Sequence, residues 1–399
     1  MAGPLNWISQ IAAVSRYNLR TLPQRKGSSA SAVLGIAGVV AVMVSVLSIA
    51  QGILRMMENS AAPENVVVLR SGSTSEMMSW VLGDAADIIA EGPGIRHNEL
   101  GAIASPELFV VINLPMRSTG TDANVPMRGV TQQAFEVREK FRMVAGRPFA
   151  WGLNEVIVGI GAQREFMGLE VGSTIEVGRE QWTVVGAFEA GGGIAESEIW
   201  VDAAVLQPAY QRGNTYQSVY AQLKSPDAFQ EFNDALSADP RLNVRTVPEQ
   251  DYYQEQSTLI YNLITGLGTL IAVVMGLGAV FGALNTMYTA ISSRTREIAT
   301  LRALGFRSGP VILSILSESM LLALVGGLLG AGVAWLAFDG FKAATMNWSS
   351  FSSMTFSFDV NVRLLTQGIV FALVIGLVGG LFPALRAIRQ PVADALREL

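Results

Sequence analysis

The chain has 399 residues, of which 50% are apolar and 15% charged, and its formal net charge is −5. This is too apolar for an ordinary soluble enzyme of that length, and a membrane protein is expected. No cysteine occurs, which excludes disulfides and cysteine-based metal sites.

Residues 5–19, LNWISQIAAVSRYNL, place Leu5, Ile8, Ala12, Ser15 and Leu19 on one helical stripe, with Arg16 and Asn18 off it. An amphipathic helix over 1–26, lying on the cytoplasmic membrane surface and broken at Pro23, fits that pattern; a helix packed on a partner protein fits it nearly as well. Uncharged runs follow at 27–54, 256–293, 319–338 and 364–385. Each reaches the roughly 20 residues that cross a bilayer core of about 30 Å. Four spans are therefore expected, over 27–54, 258–291, 311–338 and 364–385. Ser48-Ile49-Ala50 resembles a signal-peptide processing site, but the basic region and the apolar run are both longer than such a leader needs.

Arg16, Arg20, Arg25 and Lys26 precede the first span, Arg294, Arg296, Arg302 and Arg307 lie between the second and third, and Arg386, Arg389 and Arg397 follow the fourth. Cytoplasmic flanks retain positive charge, so 1–26, 292–310 and 386–399 are expected inside, and 55–257 and the short loop 339–363 outside. Residues 55–257 hold 15 basic against 27 acidic residues, while the rest of the chain holds 13 against 6. Such an acidic outer domain argues against nucleic acid as a partner.

Within that domain, ENVVVLRSG (64–72) reads as a strand and SEMMSWVLGDAADIIAEGPGI (75–95) as a helix stopped by Gly-Pro-Gly. NEVIVGIGAQREFMGL, GSTIEVGREQWTVVGAFEA and SEIWVDAAVL read as strands parted by glycine turns and one short helix, with Gly178 to Glu180 turning a hairpin. SVYAQLK, PDAFQEFNDALSAD and RLNVRTVP then return to strand, helix and strand. A split α+β part over about 55–120 and 211–250, interrupted by a strand-rich part over about 121–210, follows from this order. EQDYYQEQSTLIYNLITG (249–266) enters the second span without a breaker, and a continuous helix transmits displacement where a Gly/Ser linker absorbs it. The expected fold class is an α-helical membrane protein with four transmembrane helices and a large α+β extracytoplasmic domain inserted between helices 1 and 2.

Catalytic patterns are scarce. His97, the one histidine, follows Gly-Pro-Gly and reads as a surface residue. None of Lys26, Lys140, Lys224 and Lys342 lies in a P-loop, so the chain is not expected to hydrolyse ATP alone, nor to hold a cofactor or metal. Gly191 to Gly193 lack a following Lys-Ser/Thr and read as a mobile loop tip. Glu318 is an acid inside the third span and is expected to pair with the arginine-rich segment or with headgroups. The glycines of GGLLGAG (326–332) and GLVGGLFPA (376–384) predict close helix contact.

Taken together, RTREIATLRALGF (294–306), ESMLLALVGGLLG (318–330) and GLFPALRAIRQPVADALREL (380–399) closely resemble the signature of the FtsX/MacB-like permease family of ABC transporters. The region 154–190 looks like that family's extracytoplasmic MacB-type domain. The resemblance implies a bacterial inner-membrane permease with both termini cytoplasmic and a periplasmic domain. It also implies a second permease, identical or paralogous, and an ABC ATPase that holds ATP and Mg. Too few residues precede the first span to contain that ATPase, so a separate subunit is expected.

Family members work by mechanotransmission, and the coupling element carries over to Arg294, Arg296, Glu297, Leu301, Arg302, Leu304 and Gly305. On a helix, Ile298, Leu301 and Gly305 line one side, Arg294 and Glu297 can pair at i, i+3, and Gly305 is a helix stop. The expected function is export of an amphipathic or peptide-like substrate from the periplasm or outer leaflet, with membrane lipid, a periplasmic adaptor and an outer-membrane channel as further partners. An FtsX-like scaffold that activates an envelope enzyme and a lipoprotein-releasing permease are the alternatives.

Overall fold

The computed structural model describes residues 26–178, 180–292, 294–304, 308–347 and 350–391. The amphipathic helix expected over 1–26, apart from Lys26, lies outside the described residues, as do Gly305, Arg307 and the tail from 392. Two compact units divide the chain: a helical one built from the segments up to Gln51, Asn262–Phe341 and from Asp359 onward, and an outer one built from Gly52–Tyr261 and Lys342–Phe358.

Helix α1, Lys26–Ser60, precedes a run of short elements: β1 Asn65–Arg70, β2 Val81–Leu82, α2 Gly83–Ala90, β3 His97–Asn98, β4 Gly101–Ala102, β5 Ala104–Pro115 and β6 Asp122–Val130. Next come α3 Ala134–Val137, β7 Phe141–Gly146, β8 Glu155–Gly159, α4 Ile160–Glu165, β9 Thr174–Val177, β10 Glu180–Ala190 and β11 Ile199–Asp202. The outer unit continues with α5 Ala203–Ala209, β12 Thr215–Tyr216, β13 Ser218–Gln222, α6 Phe229–Ala238 and β14 Val244–Pro248.

A ten-stranded sheet takes the order β14-β1-β13-β5-β6-β11-β8-β10-β7, with β9 paired on β10. Its interior strands β1 (NVVVLR) and β11 (IWVD) are buried along almost their whole length, which is why they read as unbroken apolar runs. The edge strand β9 (TIEV) alternates exposed and buried side chains. Gly178, at φ +69°, supplies the positive dihedral of the tight turn from β9 into β10.

Strand β5 joins two halves. Residues Ala104 to Glu107 pair with β13, whereas Leu108 to Pro115 pair with β6. On one side, α2 and α6 cover a core of Val66, Val68, Ile89 and Phe232; on the other lies a core of Val156, Trp182, Val184 and Val201. The triple-glycine turn, expected as a loose tip, is pinned: Glu196 Oε1 accepts the Ala190 and Gly192 N–H groups, and Ser60 Oγ accepts that of Ile194.

Among the described residues, four helices are long and apolar enough to cross a membrane by length and composition. They are α1, α7 Glu249–Ser292, α9 Ser308–Phe338 and α10 Val362–Arg389, with the short α8 Thr295–Ala303 between α7 and α9. Hydroxyls within them bond back to carbonyls a turn earlier, as Ser45 does to Ala41 and Thr286 to Gly282. The glycines of α9 and α10 are contact points. A Cβ on Gly330 would fall on the Ala37 carbonyl of α1, one on Gly376 on the Ala323 methyl, and one on Gly380 on the Ser319 hydroxyl. Asn361 caps α10 by accepting the Leu364 N–H, and Arg386 and Arg389 complement the dipole in its last turn.

Segment 339–363, expected as a plain short loop, contains a hairpin of β15 Lys342–Asn347 and β16 Ser352–Ser357. Its small and hydroxylated residues give little apolar alternation, and its anchors are remote in sequence. Thr355 bonds Ser197 through both its N–H, at 2.9 Å, and its hydroxyl, at 3.0 Å, while Asn124 donates to the Phe351 carbonyl at 2.7 Å.

Candidate functional site

Helix α8 is clasped on one side and open on the other. The Arg294 carbonyl accepts the Ile298 N–H at its start. The Arg294 side chain turns inward, and its Nη1 lies 3.5 Å from Glu318 Oε2 on α9, both side chains being buried. Helix spacing would also let Arg294 pair with Glu297; the contact to Glu318 is the pairing with the arginine-rich segment expected of that acid, and it forms because the start of α8 faces α9. Ile298 packs with Ile291 against Val311, Ile315, Ala384 and Ala387. Arg302 Nη1 donates to the Gln390 carbonyl at the end of α10, 2.8 Å away. Leu301 and Arg302 are half-buried on this inner side.

Arg296, Glu297, Thr300, Ala303 and Leu304 are exposed, Leu304 by 74%. Their spacing follows the helical period, so they form one stripe of a cation, an anion, a hydroxyl and a large apolar side chain. Glu297 in the first turn and Arg302 in the last complement the helix dipole. No group in this stripe is placed for bond making. What it offers is a mixed surface on a helix whose opposite face is fixed to α9 and α10.

A second cluster, in the outer unit, escaped the sequence reading. Arg128 on β6 is buried and grips three carboxylates: Glu76 at 2.8 and 3.0 Å, Glu107 at 2.9 Å and Glu198 at 2.7 Å through two nitrogens. Arg138 forks onto Glu107 at 2.6 and 2.8 Å, Trp200 Nε1 donates to Glu198, and Ser218 Oγ donates to Glu76. Burial by itself would raise the Glu76 carboxyl, but the Arg128 guanidinium overrides it and holds Glu76 below the usual carboxylate range. Glu107 is also the residue at which β5 changes partner from β13 to β6, so the cluster sits on the seam of the two half-sheets. Its sequence signal was a charge inside a strand-forming apolar run, as in ELFVV, PMRGV and SEIWV.

Close by, Glu249 opens α7. Its Oε2 accepts the Ala62 N–H at 3.0 Å and Asn65 Nδ2 at 2.9 Å, whereas its buried Oε1 has no hydrogen-bond partner among the described residues. Burial pushes this carboxyl up to about 7. His97 lies exposed on β3, away from any such cluster.

A family model described as the MacB-like periplasmic core domain matches residues 29–239, and the FtsX-like permease C-terminal model matches residues 269–392. The chain is 22% identical over 404 residues to the uncharacterized ABC transporter permease YknZ of Bacillus subtilis, covering 96% of this chain and 98% of that protein. It is 27% identical over 260 residues to the macrolide export ATP-binding/permease protein MacB of Chlorobium luteolum, covering 60% of this chain and 37% of that one. To the MacB protein of Bdellovibrio bacteriovorus it is 24% identical over 414 residues, covering 95% of this chain and 60% of that protein.

Proposed function

The chain belongs to the family of MacB-like and FtsX-like permeases of ABC transporters, and on that premise we propose that it is the permease subunit of an export system driven by mechanotransmission. Helices α1, α7, α9 and α10 span the bacterial inner membrane with both termini cytoplasmic and the outer unit in the periplasm. A separate ATPase subunit, which holds ATP and Mg, docks on Arg296, Glu297, Thr300 and Leu304. Arg294, Leu301, Arg302 and Glu318 hold α8 to its neighbours. Two permease copies work as a dimer, with a periplasmic adaptor and outer-membrane channel receiving an amphipathic or peptide-like substrate from the periplasm or outer leaflet.

The supporting observation is the exposed stripe of α8 opposite a clasped face. Glu297→Lys and Leu304→Asp test it, since both side chains are exposed. We expect unchanged amounts of protein in the membrane and at least about a tenfold loss in co-purified ATPase, the scale of one interface hot spot. Undiminished co-purification and export in both variants would remove α8 as the docking element.

A further inference from the structure

Beside the start of α7 the outer unit exposes an apolar turn, and two contacts fix its height along that helix. Asn65, at the start of β1, donates to Glu249 at the start of α7, 2.9 Å away. Arg245, in register with Leu69 near the end of β1, donates to Glu255 on α7 at 2.9 Å. Strand β1 and the first turns of α7 therefore run side by side in the same direction, and the Arg70 end of β1 is level with Glu255. After Glu255 the sequence carries no charge from 256 to 293.

Beyond Arg70 the chain turns through residues 71–82. Met77, Met78, Trp80 and Leu82 are exposed there by 47%, 69%, 47% and 52%. This turn is held in place. Glu76 is sunk in the Arg128 cluster and its N–H donates to the Tyr252 hydroxyl of α7 at 3.2 Å. Ser79 Oγ accepts the Arg70 N–H at 2.9 Å, and Ser73 Oγ donates to the Met78 carbonyl. The Arg70 guanidinium lies 4.8 Å from the centre of the Trp80 ring.

A tryptophan, two methionines and an arginine, fixed where the adjacent helix loses its charge, match the composition of a water–lipid boundary. Resting on the reading of α7 as a membrane span, we propose that turn 76–82 seats on the outer surface of the bilayer. Met77, Met78 and Trp80 enter the headgroup layer and Arg70 lies beside lipid phosphate. Leu100, exposed by 67% on the β3–β4 turn, sits toward the Asn65 end of β1 and stays in water, so exposed apolar character alone does not define the contact.

The absence of native cysteine makes the test direct. Full-length Met78→Cys, Leu100→Cys and Leu267→Cys proteins each carry one environment-sensitive fluorophore in vesicles of phosphatidylethanolamine and phosphatidylglycerol. Nitroxide lipids labelled at the headgroup or deep in the chain, and aqueous iodide, serve as quenchers. We expect the Met78 label to lose about half its emission to the headgroup nitroxide, as for a group in the boundary layer, and to be shielded from iodide. The Leu100 label responds to iodide only, and the Leu267 label, on α7, to the deep nitroxide. If Leu267 responds to lipid while Met78 responds only to iodide, the seat is overturned and the span stands. If no label responds to lipid, the span reading falls with it. Shielding of Met78 from every quencher, with crosslinking between two copies through Met78→Cys, would assign the turn to a second copy of the chain and also overturn the proposal.

Discussion

Arg128 in the outer unit and Arg294 in the helical unit are both buried guanidiniums facing carboxylates, yet their surroundings differ. Arg128 makes its bonds at 2.7 to 3.0 Å to three acids that are themselves hydrogen-bonded. Such geometry is what offsets the cost of removing charge from water. Arg294 stands 3.5 Å from Glu318, longer than a strong charge-assisted bond, where the flanking helices meet through glycine, alanine and serine. The first arrangement locks strands together. The second sets the start of a short helix against α9 through a buried charge pair.

Arg128→Met tests the lock most severely, because it leaves Glu76 and Glu198 buried without their cation. It should lower the stability of the outer unit by about 3–5 kcal/mol, read by denaturant unfolding of the full chain followed through tryptophan fluorescence. A loss under about 1 kcal/mol would mean that the cluster is ornamental to stability.

Glu249 comes next. Its folded carboxyl, at about 7 against an ordinary 4.5, keeps its proton longer than the unfolded one. The folded state then binds more protons between those values, so stability is greatest below the lower one and falls as pH rises through 7, by roughly 3 kcal/mol in all. Glu249→Gln should flatten that slope and be the more stable protein above pH 7; parallel stability profiles of the two proteins would contradict the assignment.

In the helical unit, Gly330→Ala drives a methyl into the Ala37 carbonyl and should cost about 1–3 kcal/mol through separation of α1 and α9. Arg294→Glu and Glu318→Arg should each weaken the unit by about 1–2 kcal/mol, with the double variant recovering at least about half of the loss in a double-mutant cycle. Failure of the double variant to recover would show that the two charges do not act on each other. Smallest of all, Arg142→Ala removes an exposed partner of Glu189 and should leave the melting temperature unchanged.

The long apolar helices were legible because their runs lack charge, and the β9–β10 hairpin because Gly178 marks its turn. Helix α8 was legible as a charged, amphipathic element. Which arginine points inward was not, since Arg294 and Arg296 differ only by where α9 happens to lie. The Arg128 cluster was hidden for a different reason: Glu76, Glu107, Arg128 and Glu198 come from remote stretches, and pairing across a sheet has no local pattern. The same holds for the β15–β16 hairpin, whose anchors Asn124 and Ser197 lie far earlier in the chain.

Because β5 belongs to both half-sheets and Arg128 rivets it to β6 and to the segments bearing Glu76 and Glu198, the strands cannot slide along that seam. The sheet is thereby tied across its middle, and α7 follows its edge strand β14 directly in the chain. Nine strands lie across it, from β14 to β7. At a spacing of about 4.8 Å they span nearly 40 Å, so any rigid tilt of the sheet by about 5° along β14 would carry the opposite edge through roughly 3 Å.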